Sequence, residues 1–131
     1  GTGAANKLDD YEEGTFTPTI VIDSGSGSFT YGSQIGTYTK IGNTIFYQVH
    51  ITWTAAMSGS GSCRLTLPFA PTESGDATTQ TIDYISGLTT AVYLEPSGIT
   101  AGAYFYNSNG IGVSGSNIQS SGELRATLIV R

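Results

Sequence analysis

Charge is scarce in this chain. Aspartate, glutamate, lysine and arginine make up 11% of its 131 residues, under half of the usual share of about 25%. The basic residues are only Lys7, Lys40, Arg64, Arg125 and Arg131, and the net charge is −5. A phosphate backbone would be repelled, which argues against nucleic-acid binding. Anionic membrane surfaces are disfavoured for the same reason. No apolar run approaches the roughly 20 residues that span a bilayer, so no membrane insertion is expected. No secretory signal is visible. The chain opens at Gly1 without Met, which suggests a piece of a longer protein.

Cysteine and histidine are almost absent too. Cys63 is the single cysteine. It has no partner for an internal disulfide and none of the neighbours of a zinc site. It reads as a small buried apolar residue at a strand start rather than a reactive thiol. His50 is the single histidine. No nucleophile elbow accompanies it, so no triad is assembled around it. No metal or cofactor is expected. A helical apolar repeat of 3.6 residues is missing beyond single turns. No internal repeat is present, which disfavours a propeller or β-helix.

What fills the space is glycine, serine, threonine and aromatics. Eight tyrosines, five phenylalanines and one tryptophan can build a core, so the chain is not expected to be disordered. Residues 1–14 read as an acidic linker or arm, and residues 15–131 as one domain. Thr15–Ile22 has the β-branched content of a strand, with Pro18 marking an edge. Gly36–Ile41 and Thr44–Ala55 are joined by Gly42-Asn43, a two-residue hairpin signal. In the second of these strands Ile45, Tyr47, Val49, Ile51 and Trp53 share one face, and that face is the core. Cys63–Phe69 alternates in the same way. Thr78–Ile85 and Leu88–Glu95 read as strands with a turn at Ser86-Gly87. Thr100–Tyr106 follows, then a sharp turn at Asn107–Gly110, a short strand at Ile111–Val113 and a loop at Ser114–Gly122. The closing strand Leu124–Arg131 puts Leu124, Ala126, Leu128 and Val130 on one face. About eight or nine short strands at intervals of roughly 8–12 residues define an all-β fold, an antiparallel, jelly-roll-like β-sandwich.

Two groups of residues stand out as candidate surfaces. Phe46 shares the outer side of its strand with Gln48 and His50, and Ile129 faces away from Leu128 and Val130. A sandwich leaves such residues outside, where a sister copy could cover them or they could stand as scattered surface apolars. The second group is Tyr104, Tyr106, Asn107 and Asn109, with Tyr84 and Tyr93 on the preceding strands. Flat aromatics suit the apolar face of a sugar ring, and short amides suit its hydroxyl rim. The same tyrosines could instead simply fill a sheet edge, where tyrosine is favoured.

The acidic run Asp9, Asp10, Glu12 and Glu13 lacks the spacing of an EF-hand. A Gly-flanked linker could not hold two carboxylates at glycosidase separation. It reads as a solvated collar at the domain entry. The Gly/Ser loops at Ser24–Ser28 and Ser58–Ser62 lack the lysine and helix of a phosphate cradle.

Three short blocks carry a resemblance. They are Leu-Asp-Asp-Tyr-Glu-Glu-Gly at residues 8–14 with Thr-Phe-Thr-Pro at 15–18, Tyr-Thr-Lys-Ile-Gly-Asn at 38–43, and Leu-Thr-Leu-Pro-Phe at 65–69. In that order they resemble the C-terminal module of tailed-phage tail fibres and tailspikes, although Phe16 stands where that pattern usually carries Trp. Beyond Pro71 no block matches. The resemblance implies a virion location at a fibre tip outside the cell and a homotrimer with chains side by side. Phe46, Gln48, His50 and Ile129 would then lie at the trimer interface. It also implies a non-catalytic module that recognises bacterial surface polysaccharide or lipopolysaccharide. One alternative is a trimerising cap for an upstream shaft, without a ligand of its own. Another is part of a polysaccharide depolymerase, whose catalytic part would normally lie upstream.

Overall fold

Strict alternation builds the centre of the molecule. Every second residue of Thr44–Ala55 is buried from Ile45 to Trp53, and Leu124, Ala126, Leu128 and Val130 match them from the closing strand. The computed structural model describes residues 10–70, 79–90, 92–97 and 101–131. The arm expected over residues 1–9, with Asp9, lies outside the described residues, as do the loop expected at Pro71–Asp76, Thr78, Gly98 and Thr100.

Among the described residues nine strands form: β1 (Tyr11–Phe16), β2 (Ile20–Ile22), β3 (Thr30–Ile41), β4 (Thr44–Ala55), β5 (Cys63–Thr66), β6 (Thr79–Leu88), β7 (Val92–Pro96), β8 (Gly102–Asn107) and β9 (Ile118–Val130). A 3-10 turn at Gly115–Asn117 precedes β9. Among the described residues no helix is long and apolar enough to cross a membrane. One sheet has the order β1-β3-β4-β9-β6 and the other β2-β5-β8-β7. All neighbours are antiparallel. The pairing of β4 with β9 and of β5 with β8 is nested, as in a ribbon rolled into a jelly roll. The all-β sandwich is therefore the observed fold.

The core lies between the sheets. Tyr47, Ile51, Trp53, Leu124 and Leu128 of the larger sheet face Ile22, Leu65, Leu94 and Phe105 of the smaller one. Each such side chain contributes on the order of 1.5–3 kcal/mol by leaving water. Cys63 is fully buried among them. Burial, reinforced by nearby Asp23, pushes its thiol up to about 12, so it packs as an apolar residue and is a poor nucleophile at neutral pH.

β3 starts at Thr30 rather than Gly36, β5 ends at Thr66 rather than Phe69, and the chain departs further from the sequence reading at four places. Thr15–Ile22 is not one strand. It breaks at Pro18, which is buried, and crosses from β1 in one sheet to β2 in the other. Gln34 donates to the Pro18 carbonyl at 2.9 Å, and Thr19 is held by the Thr66 hydroxyl at 2.9 Å. These bonds satisfy the backbone where ladder bonding stops. Second, Tyr11–Gly14 belongs to β1 rather than to a linker, because it pairs with Tyr38–Ile41. Third, Ser86-Gly87 is not a turn. β6 runs through it to Leu88, and Gly87 takes φ +79° at a register shift. A bulge that needs left-handed backbone carries the same glycine signal as a turn. Fourth, no strand forms at Ile111–Val113, only a bridge from Gly112 to Tyr106, while β9 reaches back to Ile118 across the expected loop.

Candidate functional site

The two sheets each turn one face outward, and the two candidate groups fall on different faces. On the smaller sheet Ala103 and Phe105 point inward, so Tyr104 and Tyr106 point out. Register places Tyr93 opposite Tyr106, and Glu95 and Arg64 on either side of Tyr104. The Tyr93 and Tyr106 rings stack, with centroids 5.7 Å apart and planes 20° from parallel. Tyr104, Tyr106 and Glu95, with Pro96 and Ser97, line a recess of about 160 Å³. Arg64 pairs with Asp23, with Nε 3.3 Å from Oδ1.

The amides divide. Asn107 ends β8, and its side-chain carbonyl accepts from the backbone N–H of Asn109 at 2.9 Å and of Ile111 at 3.0 Å. That oxygen holds the turn, so a ligand would have to compete with the fold for it. Asn109 is exposed at the tip of the turn. Tyr84 does not join this group. It lies on β6 in the other sheet, opposite Arg125, whose guanidinium sits 5.5 Å from its ring centroid.

On the larger sheet the outer face gathers Phe46, Gln48, His50 and Ile129. Phe46 is directly opposite Ile129, and Gln48 and His50 follow at alternate positions of β4. Register adds residues that the sequence reading missed: Ile35 opposite His50, and Ile41 opposite Tyr11 at the edge. Of the six most exposed large apolar side chains among the described residues, Tyr11, Ile35, Ile41, Phe46 and Tyr84 are on this face, while Ile111 is in the turn after β8. The alternation Ile35, Thr37, Thr39, Ile41 was a usable signal. It was obscured because its inward partner at one position is Gly36, whose missing side chain makes room for the Phe16 ring.

A shallow groove of about 290 Å³ crosses this face, bordered by Ile35, Gln48, His50, Asp83 and Arg125. Polar contacts concentrate at one end. Glu123 accepts from Arg125 at 2.7 Å and lies 2.9 Å from His50 Nε2. The Arg125 hydrogen bond, seconded by His50, holds the Glu123 carboxyl below its ordinary value despite some desolvation.

The acidic run does not converge. Glu12 and Glu13 face opposite sides of β1, as alternation requires. Glu12 accepts from Tyr38 at 2.6 Å and Glu13 from Tyr11 at 2.7 Å. Each bond raises the pKa of its tyrosine.

No protein-family model and no curated protein matches this chain. Among solved structures it is similar to the crystal structure of the Dettilon tailspike protein (gp208), with a TM-score of 0.74 and 22% identity. The likeness covers 92% of this chain and 23% of the tailspike, so the chain spans under a quarter of that protein. At this identity the likeness is one of fold: a β-sandwich of this topology occurs within a phage tailspike.

Proposed function

We propose that this chain is a non-catalytic receptor-binding module of a phage tail fibre or tailspike, acting as a homotrimer at the outer end of the virion and recognising bacterial surface glycan. The observation that carries this reading is the recurrence of nearly the whole fold inside a tailspike as one part of a larger protein. The three sequence blocks add to it independently. Tyr93, Tyr104 and Tyr106 form the face that would take the sugar, and Phe46, Gln48, His50 and Ile129 the face that would meet sister copies. Shallow contacts of this kind are weak singly and become firm when three copies engage one polysaccharide. Hydrolysis by the usual paired carboxylates is not part of the reading, since the recess beside Tyr104 is lined by one carboxylate, Glu95.

The test is a Tyr104→Ala/Tyr106→Ala double variant, read by adsorption to host cells and by an array of bacterial surface polysaccharides. We expect loss of most of the signal with the strand spectrum unchanged. An unaltered signal would remove this face as the binding site. A second reading, a trimerising cap with no ligand of its own, is favoured by the apolar outer face of the larger sheet. It predicts no array signal for the parent chain and loss of assembly when that face is altered.

A further inference from the structure

The charge arrangement around the tyrosine recess bears on which sugars it would accept. This inference rests on the glycan-binding reading above. Glu95 is paired across the ladder with Tyr104 and lines the same recess. A carboxylate there offers only acceptors, four lone-pair sites on two oxygens, and so takes hydroxyl or amine hydrogens from the rim of a bound ring. A sugar carboxylate or phosphate brought to the same rim would stand against it as a like charge.

The nearby cation is already paired with a carboxylate. Among the described residues of the smaller sheet, Arg64 is the basic side chain, and it flanks Tyr104 on the side away from Glu95. Its Nε is engaged by Asp23 at 3.3 Å. An acidic sugar reaching its Nη groups would still meet Asp23 beside it, so the pair adds no net positive charge. The overall charge of −5 works in the same direction over longer range.

We infer that the recess formed by Tyr104, Tyr106 and Glu95 selects uncharged or amine-bearing hexoses and rejects uronate-, sialate- or phosphate-bearing ones. The stacked Tyr93–Tyr106 pair extends the aromatic wall for a neighbouring ring of the same glycan. Glu95 is then a specificity residue: it binds the hydroxyl rim of accepted sugars and repels acidic ones.

The experiment uses the full chain against matched neutral, amino-sugar and uronate-containing bacterial polysaccharides, with the parent and Glu95→Gln compared at low and moderate salt. For the parent we expect binding to neutral or amino-sugar polymers and none to the uronate polymers. Glu95→Gln should weaken neutral-sugar binding by about tenfold, the loss of a charge-assisted hydrogen bond, and should raise uronate binding. Glu95 is a partly exposed strand residue, so this variant is expected to fold. Parent binding to uronate polymers, or a Glu95→Gln preference identical to the parent's, would overturn the inference while leaving glycan binding intact. Absence of binding to every polymer would overturn the glycan-binding reading and this inference with it. Binding unaffected by Tyr104→Ala would place the sugar elsewhere and overturn the inference alone.

Discussion

Trp53 shows how one side chain dictates the residues around it. Its indole N–H donates to the Gln119 carbonyl at 3.0 Å, and its ring lies against Gly87 and Gly122. A Cβ at Gly122 would fall 2.2 Å from indole Cζ2. A Cβ at Gly87 would fall 2.9 Å from the same atom and 2.3 Å from the Ser121 carbonyl oxygen. The slot is therefore made of missing side chains. Gly122→Ala should destabilise the fold by about 1–3 kcal/mol, the usual range for overpacking. The check is a lowered urea midpoint with an unchanged slope. An unshifted midpoint would mean that the indole moves aside freely. Trp53 itself was legible as core from alternation. Its glycine slot was not, because Gly122 is 69 positions away in a stretch that reads as loop and Gly87 is indistinguishable from a turn glycine. Gln80 is a similar case. Its amide hydrogen-bonds both backbone groups of Leu94 and so closes the free edge of β7, a role that no local pattern announces.

The strands differ in how far their own composition specified them. β4 is bounded at Thr44 and Ala55 as the sequence predicts, because its alternation is unbroken and Gly42, at φ +60°, closes the preceding turn. β1 was hidden by four carboxylates crowded at its start. Charge near a strand end is tolerated when each carboxylate finds a donor, as Glu12 and Glu13 do in Tyr38 and Tyr11. β9 carries a comparable contact with a measurable consequence. Glu123, on its outer side, has its pKa lowered first by Arg125. A carboxyl whose folded value lies below its unfolded value stabilises the fold above the unfolded value, about 4.5, and loses that contribution as pH falls through the folded value. The stability difference between the parent and Glu123→Gln should therefore be largest above about pH 5 and shrink as acid is added. Denaturant melts at a series of pH values check this. A difference that stays constant into strong acid would show that the contact does not persist in solution.

The assembly question belongs to the outer face of the larger sheet taken together. Tyr11, Ile35, Ile41, Phe46 and Tyr84 come from β1, β3, β4 and β6, and only the sheet order brings them onto one face. Covering them would gain roughly 25 cal/mol per Å² of apolar surface, set against the cost of desolvating Asp83, Glu123 and Arg125 wherever the cover reaches the groove. If sister copies cover this face, the parent should sediment as a trimer at micromolar concentration. Phe46→Asp should then sediment as a monomer with its strand spectrum retained, since Phe46 is 40% exposed and outside the core. A parent that sediments as a monomer would discard the trimer and leave the face as ordinary surface.

Composition and period-two alternation by themselves determined that this chain is all-β, which side of β4 and β9 is buried, and that Cys63 is inert packing. Those are local properties: a strand's two faces follow from the geometry of a few consecutive residues. Tertiary structure alone decided that the chain changes sheets at Pro18, that Tyr84 is separated from Tyr93, Tyr104 and Tyr106, and that Glu95 shares a recess with Tyr104 and Tyr106 while Arg64 pairs with Asp23. Those depend on which strands become neighbours, and neighbours are chosen by how the whole set of apolar faces can be closed against water at once.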